Sequence, residues 1–120
     1  MNVLFVCTGN VARSPMAARL FRELSRAPGR FVARSAGTDP RAPRPLTTRE
    51  LAWADVVAVM EAEHLATIRQ HWPDQVGKVR VLGVPDDYDP EEPALRRVLL
   101  PRVQALLGEL ERAAPRVRPG

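Results

Sequence analysis

The residues best equipped for chemistry stand together near the start of the chain, in the stretch CTGNVARSP, residues 7–15. Cys7 is the only cysteine, and Arg13 follows it after five residues. A thiolate is a strong nucleophile, and a guanidinium is a planar fork that can hold two phosphate oxygens. The residues between them, Thr8, Gly9, Asn10, Val11 and Ala12, form a short loop with a glycine. Such a loop can turn successive backbone N–H groups toward one point and cradle an anion. Ser14 reads as a helix N-cap and Pro15 as a first helical residue, and a helix N-terminus adds further unpaired N–H groups and positive partial charge. The cradle suits phosphate. The same positive surroundings favour the thiolate form of Cys7, and the Ser14 hydroxyl can stabilise that sulfur as well as cap the helix. The Cys-to-Arg spacing carries little alone, because of the 18 basic residues only Lys78 is a lysine. A free cysteine also often does no more than fill a core. The reading rests on context: strand, cysteine, loop, arginine, Ser-Pro and helix in that order.

For this order to work, a sheet must present Cys7 at a strand end. Residues 3–6, Val-Leu-Phe-Val, are a continuous apolar run, as expected of a strand covered on both faces. Ala17, Leu20, Phe21 and Leu24 follow at helical spacing, predicting a helix to about residue 27, stopped by Pro28-Gly29. Residues 31–35 read as a second strand, residues 39–45 as a proline-rich loop, and Thr47 or Thr48 as the cap of a short helix through residue 52. A third buried strand is predicted over 56–60, a helix over 61–71 ended by Pro73, and a fourth strand over 79–82. Leu95, Val98, Leu99, Val103, Leu106, Leu107 and Leu110 mark a last amphipathic helix, kinked at Pro101 or beginning near it. Strands alternating with helices predict a doubly wound, three-layer α/β/α fold on a four-stranded parallel sheet, with strand order 2-1-3-4 expected. In such sheets ligands bind beyond the carboxyl ends of the strands, which is where Cys7 falls. Residues 1–114 read as a single domain and 115–120 as a flexible tail.

Composition narrows the class. At 120 residues, with 45% apolar and 27% charged residues, the chain has the make-up of one globular domain. There is no apolar stretch long enough to span a membrane and no signal-peptide pattern, so a cytoplasmic location is expected. The net charge of +4 suits an acidic substrate, while no basic cluster interleaves with aromatics as a nucleic-acid site would. His64 and His71 are expected at the surface, with no completed set of metal ligands around them. Trp53 and Trp72 are expected to pack against the sheet. The phosphate loop is not that of an NTPase, since no Gly-x-x-x-x-Gly-Lys-Ser/Thr occurs.

The stretch VLFVCTGNVARSPMAARLF closely resembles the opening of the low-molecular-weight protein tyrosine phosphatases. SAGT, residues 35–38, is similar to that family's segment after the second strand, and ADVVAVMEAEH, residues 54–64, to its third strand and following turn. The resemblance implies a phosphomonoesterase working through a cysteinyl-phosphate, with Cys7 as nucleophile and Arg13 and residues 8–14 binding the phosphoryl group. It implies that Asn10 and Ser35 form a structural pair holding the loop in a strained shape. It also implies an acid in the loop after the fourth strand, where the family carries Asp-Pro-Tyr. Aligned there, VPDDYDP at 84–90 makes Asp86 the general acid, ahead of Asp87 and Asp89, and Tyr88 a wall for an aromatic substrate. Taken by themselves, these aspartates are equally ordinary turn formers. The chain departs from the family in carrying Ala12 where a second cysteine is frequent, and in being trimmed after Gly37, like a short bacterial branch. With no second cysteine, no protective internal disulfide can form.

The expected partners are a phosphorylated protein or small phosphomonoester, and inorganic phosphate as product or inhibitor. Nucleic acid and membrane are not expected partners, and neither a metal nor another cofactor is expected, because arginine and backbone amides supply the positive charge. Two rivals remain open on sequence: an arsenate reductase that uses an external thiol, and a phosphate-binding regulatory module without turnover.

Overall fold

The computed structural model describes residues 1–25, 29–90 and 92–113. Four strands, β1 (Asn2–Cys7), β2 (Val32–Gly37), β3 (Val56–Val59) and β4 (Val79–Val81), form one parallel sheet in the order β2-β1-β3-β4. The expected topology is the observed one. Because β1 is flanked by β2 on one side and β3 on the other, the chain order reverses beside it, and a crevice opens at its carboxyl end. That end is Cys7, paired with Gly37 at the last position of the β1–β2 register.

Alternation along the strands splits the core in two. Val3, Phe5 and Cys7 of β1 join Val56, Ala58 and Met60 on one face. They are covered by α1 (Arg13–Leu24), through Ala17, Leu20 and Phe21, and by α4 (Pro93–Ala113). Leu4 and Val6 join Val57 and Val59 on the other face, under α2 (Thr48–Trp53) and α3 (Ala62–His71). Both faces of β1 are therefore sealed, which explains its unbroken apolar run; each such Val, Leu or Phe contributes about 1.5–3 kcal/mol by burial. Trp53 and Trp72 pack against the second cluster, as expected.

Local chemistry sets the helix ends. Thr47 caps α2, its hydroxyl accepting from Glu50 N at 3.2 Å. Glu61 caps α3 in a capping box whose other half is the His64 ring rather than the usual Glu or Gln. The start of α1 differs from the expectation: its N-cap is Ala12, with no side-chain cap. Ser14 and Pro15 lie inside the first turn, because the loop hydrogen bonds claim the Ser14 hydroxyl. The helix ends at Leu24, and the expected stop at Pro28 lies outside the described residues, as does the tail over 115–120.

Strand β2 runs two residues further than expected, through Ala36 and Gly37, since those residues pair with Val6 and Cys7. A 3-10 helix, Pro73–Lys78, fills the segment before β4 where the sequence showed only a helix stop. The last helix neither begins at Pro101 nor ends there. Pro101 sits inside one 21-residue element with its ring exposed, so it costs a backbone hydrogen bond without disturbing the buried Leu95, Leu99, Val103, Leu106, Leu107 and Leu110.

Candidate active site

The carboxyl edge of the sheet gathers the loop after β1, the segment after β2, the first turn of α3 and the loop after β4. Cys7, 2% exposed, ends β1 facing the α1 side. The chain then turns sharply, and Asn10 adopts a left-handed conformation with φ of 56°. Asn is the non-glycine residue that best tolerates this region. The turn aims the Asn10 N–H at Cys7 Sγ, 3.3 Å away. Among the described residues the N–H groups of Gly9, Val11 and Ala12 donate to no protein atom. They are the donors an anion in this loop would take up.

Ser14 is fully buried behind the sulfur. Its oxygen accepts from Asn10 Nδ2 at 2.9 Å, its hydroxyl donates to Ala36 O at 3.4 Å, and it stands 3.0 Å from Cys7 Sγ, a contact in which either group can be the donor. With Cys7 as a thiolate, Ser14 would be the donor of that contact. The Asn10 amide thus binds Ser14 rather than Ser35, which the resemblance had paired with it. Ser35 lies within β2, opposite Phe5. The strain at Asn10 is as implied; its anchor is different.

Arg13 is a buried arginine at 2% exposure. Its Nη1 donates to Val84 O at 2.8 Å and to the Glu61 carboxylate. That leaves the Nε–Nη2 edge of the guanidinium unengaged by these two anchors, and Asp86 Oδ1 stands 3.6 Å from Nε. Cys7, Gly9, Val11, Ala12, Arg13, Asp86, Tyr88 and Pro90 line one cavity of about 210 Å³. Val11 is 60% exposed there, an apolar side chain held in water by the loop. Asp87 and Asp89 are also exposed but do not line the cavity. A larger groove of about 610 Å³, which includes Leu46, His71 and Trp72, is lined by neither a cysteine nor a carboxylate.

The loop is braced from two sides that the sequence did not reveal. From β2, Thr38 N donates to Cys7 O at 2.9 Å and Asp39 N to Thr8 O at 3.0 Å. This seam needs Gly37: a Cβ there would stand 2.6 Å from Thr8 O and 2.7 Å from the Ala42 Cβ. From α3, Glu61 takes Arg13 and the His64 ring takes Thr8, with Nε2 2.9 Å from Thr8 Oγ1. His64 was expected at the surface; it is 1% exposed, while His71 is exposed as expected. An i, i+3 pair of polar residues directly after a buried strand was the available signal, since the first turn there points across the sheet edge. Burial and the Arg13 charge hold the His64 pKa below its ordinary value, against the opposing pull of Glu63, Glu61 and Asp86.

Glu61, Glu63 and His64 bring three metal-ligand atoms within 4.8 Å of one another. Both nitrogens of His64 are already engaged, Nε2 with Thr8 and Nδ1 with Glu61 N at 3.0 Å, so the trio does not have a metal site's free donors.

The similarities to known proteins bear on this site. A family model described as low molecular weight phosphotyrosine protein phosphatase matches residues 2–43. The low molecular weight protein-tyrosine-phosphatase Etp of Escherichia coli strain K12 is 30% identical over 143 residues, covering 94% of this chain and 89% of that protein. The YwlE arginine phosphatase from Geobacillus stearothermophilus superposes with a TM-score of 0.77 at 26% identity, covering 93% of this chain and 94% of the other. A cysteine-to-serine mutant of a YwlE arginine phosphatase, with its active-site serine phosphorylated, superposes with a TM-score of 0.79 at 26% identity. It covers 95% of this chain and 98% of that one.

Proposed function

The chain belongs to the low-molecular-weight protein-tyrosine-phosphatase family of hydrolases, and from that premise we propose how its own residues carry out the reaction. It is a phosphatase that works through a covalent phosphoenzyme, as the phosphorylated serine in the YwlE mutant illustrates for a relative. In this chain Cys7 is the nucleophile. The observation that carries the assignment is the convergence of Ser14 Oγ and Asn10 N on the Cys7 sulfur, in a cavity that Arg13 and Asp86 also line.

A phosphomonoester enters the cavity with its phosphoryl oxygens on the loop amides and the Nε–Nη2 edge of Arg13, beside which Asp86 stands. These donors are already in place, so little reorganisation is needed as charge shifts in the loose transition state. The Cys7 thiolate attacks phosphorus in line, forming the S–P bond as the P–O bond to the leaving group breaks. Asp86 gives its proton to the departing oxygen. The carboxylate so formed then takes a proton from water, which attacks phosphorus and returns the thiolate, and the Ser14 hydroxyl donates to the sulfur as it leaves. The guanidinium and amides supply the positive charge, so no metal or cofactor is assigned a step.

Val11, Tyr88 and Pro90 give the cavity apolar lining, which favours an aryl ester such as phosphotyrosine in a protein or a small aryl phosphate, with inorganic phosphate as product and inhibitor. Residues 1–114 form the working unit in this reading. Among the described residues no helix is long and apolar enough to cross a membrane, and we assign the protein to the cytoplasm. Hydrolysis of p-nitrophenyl phosphate in the presence of chelator tests the reaction, and trapping of phosphate on Cys7 tests the intermediate. Chelator-sensitive turnover, or a phosphoenzyme lacking label at Cys7, would overturn it.

A further inference from the structure

We propose that His64 is a positioning residue of the phosphate loop, its neutral ring holding the Thr8 hydroxyl and thereby setting the first peptide beyond Cys7. The inference rests on the reading of residues 8–14 as the phosphate cradle, and it adds a support that this reading does not require.

The sheet determines the backbone only as far as Cys7, so whatever fixes Thr8 fixes where the cradle begins. Thr8 is gripped at two points. Asp39 N holds its carbonyl at 3.0 Å, and His64 Nε2 holds its hydroxyl at 2.9 Å. The tautomer follows from the second bond of the ring. Glu61 N donates to Nδ1 at 3.0 Å, so Nδ1 carries no proton and the ring's single proton lies on Nε2. His64 is therefore the donor to Thr8 Oγ1, which stays free to donate its own proton elsewhere. The ring is 1% exposed, and the other polar atom near Nε2, a Glu63 carboxylate oxygen, stands further off at 3.7 Å, so Thr8 is the nearer partner of that nitrogen. The same turn of α3 carries Glu61, which anchors Arg13. One capping box thus braces the residue after the nucleophile and the arginine that closes the loop.

Protonation would undo the brace. With hydrogens on both nitrogens, Nδ1–H would face Glu61 N–H, and a second positive charge would lie near Arg13. The charged groups facing the ring are Arg13 from the start of α1, Glu61 and Glu63 from α3 itself, and Asp86 from the loop after β4. Burial and Arg13 favour the neutral ring, and the three carboxylates oppose them. The cradle is thus set at neutral pH and loosens in acid.

The test combines Thr8→Val, which keeps the side-chain shape, with His64→Leu, their double variant and His64→Gln, whose amide can donate as Nε2 does but cannot take up a proton. Two readouts are used: inorganic phosphate affinity by calorimetry, and kcat and KM on p-nitrophenyl phosphate from about pH 5 to pH 8. Thr8→Val and His64→Leu should each weaken phosphate binding and lower kcat about fivefold, the worth of one net hydrogen bond. The double variant should be no worse than the poorer single, and His64→Gln should recover most of the loss. The wild type should show one more titrating group on its acid limb than either His64→Gln or Thr8→Val. Additive losses in the double variant would overturn the proposal. So would a lower Tm with unchanged phosphate affinity and kcat, or an acid limb identical in all proteins. If His64→Leu does not fold, Thr8→Val and the acid limbs decide the matter. If the wild type fails to turn over the ester, the proposed reaction falls, while the phosphate titrations still decide the role of His64.

Discussion

Residues 7–14 and residues 84–90 meet in one cavity, yet they are built in opposite ways. In the first stretch Cys7, Asn10, Arg13 and Ser14 are all at most 6% exposed and are bonded to one another, to β2 and to α3. In the second, Val84 is buried and receives Arg13, but Asp86 stands 68% exposed and Pro85, Asp87, Asp89 and Pro90 are exposed with it. The difference matches what each stretch handles. Phosphoryl oxygens have the same geometry in every ester, so their donors gain from being fixed in advance. The leaving oxygen changes position and basicity with the substrate, so an acid at Asp86, as proposed above, gains from standing on an exposed loop. Rigidity is concentrated where the substrate does not vary.

This contrast can be broken most severely at Cys7. Cys7→Ser should have no measurable turnover near neutral pH, because an alcohol is a far weaker nucleophile than a thiolate, while calorimetry should still show phosphate binding to the intact loop. Next in size is Arg13→Lys, where a point charge replaces an anchored fork. A loss in kcat of about 10²–10³-fold is expected, with weaker phosphate binding, both measurable by steady-state kinetics and titration.

Asp86→Asn tests the exposed half. It should slow phosphoenzyme formation about 10²-fold for esters of weakly acidic phenols and much less for esters of strongly acidic ones, read from a rapid-quench series. Asp87→Asn and Asp89→Asn should be mild and insensitive to the leaving group. If Asp87→Asn alone steepens that dependence, the acid lies one residue further along the loop. The smallest effect concerns pH and the buried half. Because the native His64 pKa is depressed, the unfolded chain binds a proton there that the native chain refuses over the interval below 6.5. Its contribution to stability is complete above pH 6.5 and is lost as pH falls through the depressed value. Urea midpoints at about pH 7.5 and pH 5 should therefore differ more in the wild type than in His64→Gln.

How much of this was legible in the sequence depends on whether a residue's role is local or assembled. The loop after β1 could be read as a candidate site because all its parts are consecutive, and the parallel topology because β1 and β3 are unbroken apolar runs. Asp86 came from resemblance alone, since three aspartates near prolines look alike until the fold decides which one faces Arg13. The role of Ser14 was half legible: its serine chemistry pointed to the sulfur, but its capping propensity was overridden by the bonds to Asn10 and Cys7. His64 was misread because a lone histidine in a polar helix start looks solvated. Only the packing of α3 against the sheet edge shows that its first turn is buried against Thr8. Residues whose partners lie some fifty positions away carry no local mark of that partnership.

The seam at Gly37 also imposes an order on events in folding. Helix α1 can form from local interactions, but the loop ahead of it gains its shape only when β2 docks along β1 and the segment after Gly37 closes over Thr8. That docking joins positions thirty residues apart and is slow compared with helix formation. Phosphate binding should accordingly appear late in refolding, after most of the helical signal, and in step with assembly of the sheet. An anion that recognises only the finished cradle also draws the equilibrium toward the native chain, in proportion to the logarithm of its concentration above Kd. The product of the reaction is in this sense a folding ligand for the enzyme that releases it.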